Sequence, residues 1–219
     1  MSRGVIMETK KCERLECANS DLPESKMEEI VKALRNGELV VYPTETVYGL
    51  GANALDEGAI KKVYMVKKRP FDMPLSVAVR DLNMFEQIAI LDDRERKLVK
   101  KFMPGPLTLL ATKRPVIPDI LTSASMEVGV RIPDQPFALR LIEQFGPLTS
   151  TSANIHSKPN PLSTAEVMQE LGDAVRYYLD CGVPKLGKPS TIIQLNNGGL
   201  EVIRKGPISI EEIMAVLDE

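Results

Sequence analysis

The 219-residue chain is predicted to form one α/β domain, a twisted, open, mixed sheet with flanking helices. Three observations predict it. Strand-like and helix-like apolar patterns alternate from end to end. No repeat, low-complexity tract or long linker interrupts them. The run Asn196-Asn197-Gly198-Gly199 joins two late strands in a hairpin, so the sheet cannot be wholly parallel. The unit is read as 1–219, with its core at about 21–217.

A short strand is expected within 9–16. Asp21 and Pro23 then open a helix whose buried stripe is Met27, Ile30, Val31 and Leu34, and Asn36-Gly37 stops it. A strand over 38–42 ends at Pro43, which cannot donate to a ladder. Asp56 caps a helix with Ile60, Val63 and Tyr64 inside, closed by Lys67-Lys68-Arg69-Pro70. A strand at 75–79 follows. Asp81 caps a short helix to Ile88, and Asp92-Asp93 open another that breaks at Pro104-Gly105-Pro106. Strands are expected at 107–111 and 128–132, then a well-buried helix over 137–145 stopped by Gly146-Pro147. Leu148 starts a brief strand. Ser163, with Glu166 at the capping-box position, opens the next helix. Strands at 177–179, 191–195 and 200–203 and a helix at 210–217 complete the chain.

Composition excludes several classes. With 43% hydrophobic and 26% charged residues, the sequence is that of an ordinary globular protein. A net charge of -2 disfavours a protein whose main task is coating nucleic acid. No apolar run approaches the ~18 residues of a membrane span, and the polar start, 1–11, is no secretory leader, so a cytoplasmic location is expected. Met7 is a possible alternative start. His156 is the one histidine, which nearly excludes a Ser-His-Asp triad and a His-ligated metal. Cys12, Cys17 and Cys181 lack metal-site spacing and read as free thiols.

The candidate chemistry centres on Thr44 and Thr46, on a bent loop beyond a strand's carboxyl end, where open α/β sheets bind ligands. Gly49 and Gly51 would allow close approaches there. Neither a phosphate-binding G-x-x-x-x-G-K-[ST] loop nor a G-x-G-x-x-G is present, so any phosphate must be held by side chains. Lys67, Lys68 and Arg69 have two readings: cations favoured at a helix C-terminus, or a basic cleft in which Arg69 holds an anion in bidentate fashion. Thr149, Ser150, Thr151, Ser152 and Asn154 are either a cap and turn or a cradle for anionic oxygens. Arg131, inside an apolar strand, needs either an internal carboxylate or a ligand's carboxylate. Arg204-Lys205-Gly206 and Pro189-Ser190-Thr191 add basic and hydroxyl groups next to strands. Together these describe a cleft for a ligand with several negative charges.

These blocks carry a family resemblance. Pro43-Thr44-Glu45-Thr46-Val47-Tyr48-Gly49-Leu50, Lys67-Lys68-Arg69-Pro70 with Pro74-Leu75, Pro104-Gly105-Pro106-Leu107-Thr108, Val128-Gly129-Val130-Arg131-Ile132-Pro133, Ser150-Thr151-Ser152-Ala153-Asn154, Pro189-Ser190-Thr191-Ile192 and Arg204-Lys205-Gly206 resemble, in order, the YrdC-type threonylcarbamoyl-AMP synthases in their single-domain form. The resemblance implies a YrdC-like fold with a concave basic face. It also implies a nucleotidyltransferase reaction: L-threonine, bicarbonate and ATP give threonylcarbamoyl-AMP and pyrophosphate, for threonylcarbamoyl modification of tRNA position 37. ATP enters as substrate with Mg2+ on its triphosphate, and no protein-held metal is expected. A tRNA-modifying complex would accept the product, with tRNA itself a possible partner.

By the same resemblance, Thr44 and Thr46 meet the amino acid and Arg131 its carboxylate. Lys67, Arg69, Ser150, Ser152, Asn154 and Arg204 hold the nucleotide phosphates or the carbamate, with Lys67, Arg69 and Ser152 catalytic. Ser190 and Thr191 line the cleft, and Tyr48 and Thr108 shape its walls. Two departures stand out: Met73, where lysine or asparagine is common, and Gln135, where histidine is common. The rival readings are an RNA-binding module of this fold without catalysis, and a paralogue acting on another carbamoyl or nucleotidyl substrate.

Overall fold

The computed structural model describes residues 11–17, 22–196 and 199–218. In chain order the elements are β1 (Glu13–Glu16), α1 (Glu24–Arg35), β2 (Val40–Tyr42), β3 (Gly49–Gly51), α2 (Glu57–Lys67), β4 (Ser76–Ala78), α3 (Leu82–Ile88), β5 (Ala89–Ile90), α4 (Asp93–Phe102) and β6 (Leu107–Lys113). They continue with α5 (Asp119–Thr122), β7 (Glu127–Arg131), α6 (Pro136–Phe145), β8 (Leu148–Thr149), β9 (Thr151–Ser152), α7 (Thr164–Leu171), β10 (Tyr177–Asp180), β11 (Thr191–Asn196), β12 (Gly199–Arg204) and α8 (Ile210–Asp218).

Helix starts follow local chemistry. Asp56, Asp81 and Asp92 each accept a hydrogen bond from the backbone N–H three residues on, and Asp92 with Glu95 forms a full capping box. Ser163 accepts from the Glu166 N–H, but the Glu166 carboxylate reaches the Leu162 N–H, so the expected box is displaced by one residue. At α1 the cap position is Pro23, with no side-chain cap bond; Asp21 lies outside the described residues.

The strands form two mixed sheets rather than one. The first has the order β1-β10-β2-β3-β9, and the second β12-β11-β6-β7-β4-β8, with β5 also pairing β6. The reason is the segment 148–152. β8 pairs with β4 of the second sheet, and β9, two residues on, pairs with β3 of the first. The chain changes sheets there, and the two sheets meet along it.

Side-chain alternation then fills two cores. Val40 and Tyr42 of β2, with Tyr177 and Leu179 of β10, pack beneath α1 and α6. Val41 and Tyr178 point the other way, into a larger core with α2, α4, α7, α8 and the second sheet. The stripe Met27, Ile30, Val31 and Leu34 is buried as expected.

β3 escaped the sequence reading because Gly-Leu-Gly has poor strand propensity. Its glycines serve packing. Gly49 pairs across from Tyr42, and a Cβ on Gly49 or on Gly51 would lie 2.9 Å from the Tyr42 side chain. The buried ring covers both glycines, and its hydroxyl donates to the Thr149 carbonyl at 3.1 Å, across the sheet seam. Gly49→Ala should therefore destabilise the fold by about 1–3 kcal/mol through overpacking, read as a lower urea midpoint with an unchanged m-value.

Candidate functional site

The seam opens into a cleft of about 320 Å3, at the small end of ligand-site sizes. Its walls come from the loop after β2, the turn after α2, the end of β7, the crossing segment 150–152 and the ends of β11 and β12.

The loop after β2 is held by its own hydroxyls. Thr44 Oγ1 lies 2.8 Å from Thr46 Oγ1, donates to the Val47 carbonyl and accepts from the Thr46 and Val47 N–H groups. This local turn is what threonine favours in place of a regular strand. Arg131, at the end of β7, is buried. It donates from Nη1 to Thr46 Oγ1 at 2.9 Å and from Nη2 to Glu45, whose other oxygen accepts from the Asp134 N–H at 3.2 Å. Of the two partners left open by the sequence, the internal carboxylate is present. Sequence alone does not mark Glu45 as that partner; the signal it carries is the arginine in an apolar strand, which must be paired.

Two further arginines face the cleft. Arg69 donates from Nε and Nη2 to the Met73 and Pro74 carbonyls, at 3.0 and 3.1 Å. Arg204 donates to the Ser190 carbonyl at 3.0 Å and to Ser190 Oγ at 3.1 Å, and Ser190 Oγ is 2.8 Å from Thr108 Oγ1. Burial, then the charges of Arg131 and Arg69, push the Arg204 guanidinium below its ordinary value. Burial lowers Arg69 as well. Among the described residues lining the cleft there is no carboxylate.

The structure thus brings Thr44, Thr46, Arg69, Arg131, Ser150, Ser152, Ser190 and Arg204 to one cleft, with Tyr48 and Thr108 in its wall as expected. Three expected residues do not line it. Lys67 is 1% exposed and sits behind the crossing segment, donating to the Ser152 and Asn154 carbonyls and to Asn154 Oδ1. Asn154 is buried with it, accepts from Ser152 Oγ at 2.6 Å and donates to the Lys158 carbonyl. Thr191 is turned inward: its hydroxyl donates to the Ile208 carbonyl and accepts from the Ile208 N–H. The reason is alternation, since Ser190 and Thr191 are successive residues and cannot share a face. Thr149 is also buried, bonding Leu50 and Ala52 across the seam.

The basic run divides: Lys67 lies in the last turn of α2, and Arg69 lines the cleft. The chain leaves α2 through Lys68 in a left-handed conformation, φ 50°, which swings Arg69 to the cleft while Lys67 stays inside. Met73 serves Arg69 through its carbonyl, which its side chain does not affect. Gln135 caps α6, accepting from the Ala138 N–H. Gly206 passes so close to β11 that a Cβ would lie 2.3 Å from the Thr191 nitrogen, which accounts for glycine after Arg204-Lys205.

A family model named Sua5_yciO_yrdC and described as "Telomere recombination" matches residues 32–206. A Methanocaldococcus jannaschii protein, provisionally named a threonylcarbamoyl-AMP synthase, is 42% identical over 89% of this chain and 92% of its own length. A Pyrococcus abyssi threonylcarbamoyl-AMP synthase is 40% identical over 85% of this chain, which spans only 55% of that longer relative. The crystal structure of P. abyssi Sua5 complexed with L-threonine superposes with a TM-score of 0.89 at 37% identity, covering 93% of this chain and 60% of that one. E. coli YciO shares the fold, with a TM-score of 0.84 at 24% identity, over 92% of this chain and 99% of that one.

Burial, then the charge of Arg69, pushes Lys67 down to about 7 from an ordinary value of 10.5. Between those values the unfolded chain binds more protons than the folded one, so stability from this group rises with pH through that window. Its burial cost is full below pH 7. The unfolding free energy of the wild type relative to Lys67→Met should therefore rise from pH 7 to 10, measured by urea denaturation of both proteins.

Proposed function

Because the chain belongs to the Sua5/YciO/YrdC family, we propose that it is an L-threonylcarbamoyladenylate synthase, an enzyme joining L-threonine, bicarbonate and ATP into threonylcarbamoyl-AMP with release of pyrophosphate. The observation that carries this reading is the convergence of three arginines and several hydroxyls on one cleft whose lining, among the described residues, holds no carboxylate. Such a lining suits a triphosphate and a carbamate, and it does so without a histidine base. The reading takes 1–219 as a single YrdC-like domain; the family match over 32–206 supports it.

The chemistry asks little covalent help of the protein. The threonine amine takes up bicarbonate to give a carbamate, and a carbamate oxygen attacks the α-phosphorus of ATP as pyrophosphate leaves. Catalysis of this kind is positioning plus neutralisation of gathering negative charge. Arg69 and Arg204, held by neutral carbonyls and a hydroxyl, are the phosphate-facing cations. Arg131, braced by Glu45 and Thr46, takes the threonine carboxylate beside the turn of Thr44. Ser150, Ser152 and Ser190 hold phosphate or carbamate oxygens. Lys67 and Asn154 act from behind, shaping the segment that presents Ser152. Mg2+ arrives on the triphosphate as part of the substrate. The product would pass to a tRNA-modifying complex for adenosine 37.

The deciding assay is pyrophosphate release from ATP with threonine, with serine and with no amino acid. Release that depends on threonine is expected; ATP turnover indifferent to threonine would sink the proposal. Arg69→Ala should lose about 2–3 kcal/mol of charged hydrogen bonding, roughly 30- to 150-fold in kcat/KM for ATP. Thr46→Val removes one acceptor of Arg131 and should raise KM for threonine more than for ATP; equal losses would count against that role.

A further inference from the structure

β1 and β10 run parallel, with Glu16 opposite Asp180 as their last registered pair. The ladder continues one step further, since the Cys17 N–H donates to the Asp180 carbonyl at 2.8 Å. The next opposed residues are Cys17 and Cys181. Neighbouring strands lie about 4.7–4.9 Å apart, inside the ~4.4–6.8 Å span of Cα atoms that a disulfide bridges. Both side chains pack on the same apolar cluster beneath α1 and α6. They are 164 residues apart in sequence, so nothing in the chain's spacing pairs them.

We propose that Cys17 and Cys181 form a reversible thiol–disulfide pair that takes a low-molecular-weight disulfide as its oxidant. Both are free thiols in this structure; Cys17 is buried and Cys181 half-buried, so Cys181 meets the oxidant first. Its thiolate attacks one sulfur of the small disulfide, forming a mixed disulfide and expelling one thiolate. The Cys17 thiolate then attacks the Cys181 sulfur, closing the protein bridge and expelling the second. Two protein thiols are oxidised, one small disulfide is reduced to two thiols, and the two protons pass to the expelled thiolates. The Cys181 sulfur is the strongest influence raising the Cys17 thiol, ahead of burial. Capping Cys181 in the first step removes that thiol–thiol hydrogen bond, which favours the protonated Cys17.

The bridge would staple β1, the edge strand of its sheet, to β10. It also lies at the root of the loop 181–190. There the Gly182 carbonyl accepts from the Tyr48 hydroxyl at 2.7 Å, the Leu186 N–H donates to the Glu45 carbonyl, and Ser190 enters the cleft. Cys12, at the opposite end of β1 and influenced by Asp173, is the internal control.

The full chain is incubated with oxidised glutathione or with dithiothreitol, alkylated, and read by intact mass, peptide mapping and thermal melting. The expected result is a monomer with two fewer alkylatable thiols, a Cys17–Cys181 linked peptide, and a Tm raised by roughly 5–10 °C, all reversed by dithiothreitol. Cys12→Ser should keep the bridge, and Cys181→Ser and Cys17→Ala should each abolish it. A stable glutathione adduct on Cys181 without closure, a bridge to Cys12, thiols that stay fully alkylatable, or an unchanged Tm would overturn the proposal.

Discussion

Arg131 and Glu45 meet where the two sheets come together, and much of the cleft follows from that meeting. Arg131 ends β7 of the second sheet, and Glu45 lies on the loop after β2 of the first. Both are buried. An ion so placed is tolerated only with a partner, and removing one member of a buried pair costs about 3–5 kcal/mol. The pair therefore fixes the separation of the sheets and the course of the loop 43–48. Glu45 also accepts from the Asp134 N–H, which ties in the approach to α6.

Around this neutralised pair, the other charges are deployed differently. Arg69 and Arg204 are oriented by carbonyls and a hydroxyl, which aim a guanidinium without cancelling its charge. Burial lowers both, and their mutual repulsion with Arg131 adds to the effect at Arg204. A polyanion entering the cleft would relieve that repulsion. Lys67 has the complementary part. It is buried and donates to the Ser152 and Asn154 carbonyls and to Asn154 Oδ1, at and just beyond the segment that changes sheets. The same segment is thus a structural crossing on its buried side, through Thr149, and a polar lining on its open side, through Ser150 and Ser152.

Much of this was legible in the chain, for local reasons. Aspartate and serine caps placed α2, α3, α4 and α7, because a cap needs only its own three following residues. The stripe of α1 and the need of Arg131 for a partner were legible too. β3 was not, because its glycines are chosen to fit beneath Tyr42, a contact between strands. The inward turn of Thr191 was hidden because its partner, Ile208, belongs to the segment leading into α8. Lys67 and Arg69 looked alike as members of a basic run; a left-handed Lys68 between them sends one inward and the other to the cleft.

The sequence by itself determined the alternation of helices and strands, their caps and breaks, and which residue types could hold several negative charges, since propensity, periodicity and charge are properties of neighbours in the chain. Only the tertiary structure decided that the strands divide into two sheets at 148–152, that Arg131 is answered by Glu45, and that Cys17 faces Cys181. Those outcomes depend on register and on which backbones cross, and distances across a fold are set by the packing of distant segments against one another.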